Sequence, residues 1–177
     1  MLNKLPKSSS TTHYPLPTKG FSIIELVVVI GTMALLFSLG YANYRDFQRR
    51  QQLDSVINEF KTDLRLAQQL ALTGNKPTGC TTLEGYRIRR DGDKSYKILA
   101  YCGSPVTCSV DPDYCVKDVN LPSNISIGTF APSPGNRFMF QVLARGVDRD
   151  GETTITFTQD VTGDTRSVIV TPSGEIK

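Results

Sequence analysis

Four groups of side chains in this sequence have types and spacings that could do chemistry. The first is a single acid. Glu25 stands one residue before the uncharged run Leu26 to Tyr44. A carboxylate at the edge of hydrocarbon is costly unless it meets a partner. The first turn of a helix also favours an acid, through the positive end of the helix dipole, so two readings of Glu25 stand side by side. The second group is Cys80, Cys102, Cys108 and Cys115, an even set placed wholly after the apolar run. Such a set points to disulfides in an oxidising compartment, with three pairings open. A zinc site is the rival reading, and unpaired thiols the third. Zinc lacks the usual ligand spacing here, because no C-x2-C pair occurs and the only histidine is His13, near the start.

The third group is acidic. Asp148-Arg149-Asp150-Gly151-Glu152 looks like the start of a calcium loop, but a twelve-residue loop needs glutamate where Gln159 stands, so a hairpin turn is expected. Asp111, Asp113 and Asp118 cluster near Cys115 without a known loop spacing, and no metal or other cofactor is expected. The fourth group is basic: Arg137, Arg145, Arg149 and Arg166, together with the terminal Lys177. Scattered solvated arginines are the reading preferred over one gathered face. No nucleophile motif accompanies these residues, and without histidine beyond residue 20 the commonest general base is missing. An enzyme is therefore not expected, and no catalytic residue is named.

The elements that must carry these residues follow from charge and periodicity. The net charge of +3 is concentrated at the start, where Lys4, Lys7 and Lys19 have no acid among them, so the rest of the chain is neutral. A neutral body argues against a general electrostatic binder of nucleic acid. The apolar run would reach roughly 28 Å as a helix, close to the hydrocarbon thickness of about 30 Å, and the preceding lysines place its start on the cytoplasmic side. An ordinary cleaved signal peptide fits less well, because the apolar run is long and no A-x-A-like site closes it. A plain signal anchor leaves Glu25 unexplained.

Beyond Arg45 the pattern becomes one-sided. Leu53, Val56, Ile57, Phe60, Leu64, Ala67, Leu70 and Ala71 recur at spacings of three and four, with Glu59, Lys61, Asp63 and Arg65 among the polar positions between them. Gly74-Asn75-Lys76-Pro77 supplies a stop, so one helix is expected from about Phe21 to about Thr73. Period-two stretches around Tyr86 to Arg89 and Tyr96 to Leu99 flank Asp91-Gly92-Asp93 and predict a hairpin. Further strands are expected at Arg137 to Leu143, Thr153 to Gln159 and Arg166 to Thr171, forming an antiparallel sheet. Cys102 to Pro134 reads as an irregular, disulfide-tied excursion with one strand at Ser126 to Phe130.

The string Lys19-Gly20-Phe21-Ser22-Ile23-Ile24-Glu25-Leu26, running straight into the apolar segment, resembles the class III signal of type IV prepilins and pseudopilins. The resemblance implies cleavage by a prepilin peptidase between Gly20 and Phe21, N-methylation of Phe21, and pairing of Glu25 with the N-terminus of a neighbouring subunit. It implies an α+β, type IV pilin-like fold with a leader at 1–20, a membrane or filament-core helix at 21–44, and an amphipathic helix plus β-rich extracytoplasmic head at 45–177. The implied place is the bacterial inner membrane, single-pass with the head in the periplasm, and later an extracytoplasmic filament. Implied partners are other pilin or pseudopilin subunits, the peptidase/N-methyltransferase, the inner-membrane assembly platform, and membrane lipid before assembly.

Within that superfamily the head is most similar to the GspH/FimT group of minor pseudopilins. The similarity rests on Phe60 to Ala71 leading into Asn75, and on Arg166-Ser167-Val168-Ile169-Val170 followed by Ser173-Gly174. A minor subunit that primes or caps a type IV pilus or type II secretion pseudopilus is expected. The alternative is a filament-tip module for DNA uptake or adhesion. Some relatives bind DNA through a basic C-terminal element, but here the tail is Gly174-Glu175-Ile176-Lys177, with an acid in place of the arginine. DNA contact by Arg137, Arg145, Arg149, Arg166 and Lys177 is thus the less favoured expectation.

Overall fold

The computed structural model describes residues 20–103, 114–132, 135–143 and 145–177, leaving aside the side chains at 39, 40, 42 and 43. The fold is α+β. Helix α1 covers Ile23–Thr73. It is followed by β1 (Gly85–Arg90), β2 (Ser95–Tyr101), β3 (Cys115–Asn120), β4 (Ile125–Ile127), β5 (Arg137–Gln141), β6 (Thr153–Gln159) and β7 (Thr165–Val170). Contacts divide the chain into Met1–Ala42 and Asn43–Lys177, and α1 contributes residues to both units.

In the second unit the three-and-four spacing of α1 becomes a buried stripe: Leu53, Val56, Ile57, Phe60, Leu64, Ala67 and Ala71 join one hydrophobic cluster with the strands. Phe60 is its centre. Its ring meets Tyr96 of β2 edge-on at 4.9 Å and Phe157 of β6 at 5.0 Å, so one side chain of the helix touches both sheets. Such edge contacts add to the area term for aromatic burial. The helix ends where Gly74 adopts φ 61°, a conformation that costs glycine nothing. Gly74 N–H then bonds the Ala71 carbonyl at 3.3 Å and Asn75 N–H the Leu70 carbonyl at 3.2 Å, the pair of bonds that defines a Schellman cap.

The strands form two sheets rather than the single sheet expected. One has the order β3-β2-β1-β5 and the other β4-β6-β7, with antiparallel pairing in each. They are stitched together near one end, where Ile127 N–H bonds the Asp93 carbonyl at 2.8 Å and Arg90 Nε–H bonds the Ile127 carbonyl at 2.8 Å. The β1–β2 hairpin turns at Asp91-Gly92-Asp93, with Gly92 at φ 86°.

The stretch read as an irregular excursion contains β3, the edge of the larger sheet. Its Cys-Val-Lys-Asp-Val-Asn sequence alternates between half-buried and exposed positions, and an edge strand has too little apolar content to stand out. The strand near Ser126 is shorter than expected, Ile125–Ile127. The strand expected to reach Leu143 stops at Gln141, because Leu143 takes φ 58° in the turn that follows.

Candidate functional site

Gly20 and Phe21 lie exposed just ahead of α1, and Ser22 occupies the residue before its first turn, where its carbonyl accepts the Leu26 N–H at 3.1 Å. Glu25 is the acid of that first turn and is exposed. Ser22 and Glu25 have the S-x-x-E spacing of a capping box, a local reading of this acid that the sequence analysis missed. Lys19 and the residues before it lie outside the described residues.

From Phe21 onward the described part of the first unit buries none of its large apolar side chains. Phe21 is 80% exposed, Ile23 82% and Phe37 76%, and even Val29, the least exposed, is 41% open. Two hydroxyls in this stretch are satisfied within the helix: Thr32 Oγ1 donates to the Val29 carbonyl at 2.9 Å and Ser38 Oγ to the Leu35 carbonyl at 2.8 Å. Polar side chains bonded in this way present little unsatisfied polarity to hydrocarbon. Among the described residues no helix is long and apolar enough to cross a membrane. The 19-residue uncharged run is a property of the sequence, and it includes Leu39, Gly40, Ala42 and Asn43, whose side chains are not described.

Cys80 and Cys102 form a disulfide with Cα atoms 5.7 Å apart, joining the segment after α1 to the residue following β2. Cys115, at the start of β3, is also disulfide-bonded, and Cys108 lies outside the described residues. Of the acids weighed for calcium, Asp148 Oδ1 accepts the Met139 N–H at 2.7 Å and so serves the β5 edge. Asp118 sits on β3 and pairs with Lys97 at 3.3 Å, while Asp111 and Asp113 lie outside the described residues.

The five basic residues do not form one face. Arg137 begins β5 and is exposed. Arg149 Nη1 donates to the Pro132 carbonyl at 3.0 Å, and its Nη2 to the Arg137 carbonyl. Arg145 lines a separate hollow with Leu83, Glu84 and Leu143. Arg166, on β7 of the other sheet, pairs with Asp54 of α1 at 3.5 Å, and Lys177 with Glu175 at 3.5 Å. The structure thus brings Arg137 and Arg149 together and leaves the rest apart.

One well-connected polar group of the second unit is an acid that periodicity placed on the solvent side. Asp63 is only 4% exposed. Lys117 Nζ of β3 bonds both of its carboxylate oxygens at 2.8 Å and Glu59 Oε1 at 3.2 Å, while Tyr96 Oη donates to Asp63 Oδ2 at 2.7 Å. Burial, reinforced by the bond to Asp63, pushes the Tyr96 phenol far above its ordinary value. Burial alone would lower Lys117, but its bonds to Asp63 and Glu59 outweigh that effect and raise it. A buried carboxylate held by three hydrogen bonds from two donor groups fixes the helix against the larger sheet. Its signal in the sequence was faint: Asp63 stands one residue before Leu64, between core positions Phe60 and Ala67. No protein-family model matches this chain, and no curated protein or solved structure is significantly similar to it.

Proposed function

We propose that this protein is a minor type IV pilin-like subunit. In this reading it is cut between Gly20 and Phe21, N-methylated on Phe21, held by its N-terminal helix in the bacterial inner membrane, and then packed into a pilus or secretion pseudopilus. The observation that carries the reading is the helical stretch after Glu25, whose large apolar side chains are exposed on all sides. Each such side chain gains about 1.5–3 kcal/mol on full burial, so the stretch needs lipid or neighbouring helices around it.

Glu25 then gains its role from company. In hydrocarbon or inside a bundle its carboxylate would be unpaired, and the free amine of Phe21 on an adjacent subunit supplies the missing charge. An ion pair in low dielectric penalises any register that leaves one partner alone. The pilin-like arrangement of a core helix continuing into a head-bound helix is consistent with the unbroken span Ile23–Thr73. Other subunits, the peptidase/N-methyltransferase and the assembly platform are the partners this role requires.

Mass spectrometry of the protein recovered from cells with an active prepilin peptidase tests the reading. The expected N-terminal peptide begins with methylated Phe21. Recovery of the chain with residues 1–20 still attached would reject it. A filament-tip binding role for the head is the second reading.

A further inference from the structure

The outer face of the larger sheet carries a row of like charges. Strand register places Lys97 opposite Arg89 and Arg89 opposite Arg137, so three cations stand side by side on β2, β1 and β5. Like charges directly opposed on neighbouring strands are destabilising, and a chain keeps such a row without penalty only where counter-charge is supplied. Two acids supply part of it. Lys97 takes Asp91 at 2.7 Å and Asp118 at 3.3 Å, which leaves Arg89 a long 3.5 Å contact with Asp91. Arg137 has no ion pair among the described residues.

This uneven neutralisation occurs at an open hollow of about 570 Å³, bounded by Arg89, Arg90, Asp91, Asn136 and Arg137 with Gly92 and Gly135. Arg90 is already committed to Asp93 and to the Ile127 carbonyl, so it forms wall rather than ligand surface. Behind the rim, Arg149 bonds the Arg137 carbonyl and adds a further positive charge. Gly135 leaves room for it, since the Arg149 guanidinium would have to shift to accept a Cβ there. The β5 end of the row is therefore its least neutralised part, and the Arg89 and Arg137 guanidinium groups have donors to spare.

We propose that Arg89 and Arg137 form a binding site for a tetrahedral oxyanion of the phosphate class. Guanidinium forks bind such oxygens bidentately, and two of them facing one anion relieve the repulsion the register imposes. The anion's source is either a free phosphate or the headgroup of an anionic phospholipid, which offer the same oxygens. The site stands independently of the assembly role proposed above.

The test uses the full-length chain in micelles of an uncharged, phosphate-free detergent, titrated with inorganic phosphate against chloride at equal ionic strength. Arginine side-chain NMR signals and the thermal midpoint are read together. Phosphate, not chloride, is expected to shift Arg89 and Arg137 saturably and to raise the midpoint, as a ligand of the folded state must. Arg137→Gln and Arg89→Gln should each weaken binding by about tenfold, the loss of a charge-assisted contact, whereas Arg166→Gln should leave it unchanged. Arg137→Gln should fold as before, because Arg149 is held by the backbone carbonyl at 137 and not by its side chain.

Adding phosphatidylglycerol to the micelles separates the sources. Displacement of phosphate assigns the site to a lipid headgroup, and undisturbed phosphate binding assigns it to the free anion. The proposal is overturned if phosphate gives no saturable response, if both arginine variants bind as the wild type does, or if only single-stranded DNA binds.

Discussion

Tyr96 donates its phenolic hydrogen to Asp63 across 2.7 Å, so a strand of the larger sheet and the buried side of α1 share a hydrogen bond in the core. Lys117 closes the same carboxylate from β3. Removing Tyr96's hydroxyl leaves Asp63 still paired, whereas removing the carboxylate leaves two donors without their acceptor. Tyr96→Phe should therefore cost about 1 kcal/mol, and Asp63→Ala, which also leaves Lys117 half-buried beside Glu59 alone, about 3 kcal/mol. Denaturant unfolding of the two variants and the double variant checks the order, and the double variant should cost less than the sum.

Stability should form a plateau in pH with a defined edge on each side. Tyr96 and Tyr86 are both raised by burial, Tyr96 also by Asp63, and Lys117 is raised by its carboxylates in spite of burial. Groups raised in the fold contribute fully below their unfolded values, near 10 for these side chains, and lose that contribution as pH climbs further. At the other side, hydrogen bonds lower Asp91 through Lys97 and Asp160 through Lys94 and Ser126. Their contribution is present above about pH 4 and lost below it. Thermal midpoints across the range should fall at both ends, and Tyr96→Phe should blunt the alkaline fall.

Glu25 offers a substitution that separates its two readings. Glutamine at the same position keeps the capping-box spacing with Ser22 but carries no charge. If the charge pairs with a neighbour's amine, Glu25→Gln and Glu25→Ala should both be processed yet fail to enter filaments, with incorporation down by about tenfold or more. Incorporation of Glu25→Gln at the wild-type level would reduce Glu25 to a cap. Immunoblots of sheared filaments against whole cells give the comparison.

The Cys80–Cys102 bridge closes a loop with a sequence separation of 22. Loop-closure entropy at that length is worth about 3 kcal/mol, so replacing both cysteines with alanine should lower stability by about that amount. Reduction of the wild-type protein, which also opens the bond at Cys115, should lower stability by at least as much, and no loss in the double variant would show that the loop is held by other contacts. Calorimetry with and without reductant measures it.

What the sequence revealed and what it hid have physical causes. The core stripe of α1 was legible because seven apolar residues keep helical spacing over more than five turns, and β6 was legible because Thr153–Gln159 alternates without a break. Strand β3 was hidden, since an edge strand buries only one side weakly and its Lys117 and Asp118 look like loop residues. Asp63 was misplaced because a carboxylate is assigned to solvent by type, and only the distant Tyr96 and Lys117 make its burial affordable. The row of Lys97, Arg89 and Arg137 was invisible for a similar reason. Its members come from three strands, and nothing local aligns them.

The disulfide and the Asp63 bond have a mechanical consequence when taken together. Tyr96 lies near the beginning of β2 and Cys102 immediately past its end, so a pull arriving along the head-bound part of α1 reaches one interior strand at two anchor points. That strand is flanked by β1 and β3, and both of its hydrogen-bonded ladders must share the tension. A sheet tethered in this way resists being peeled open from one corner.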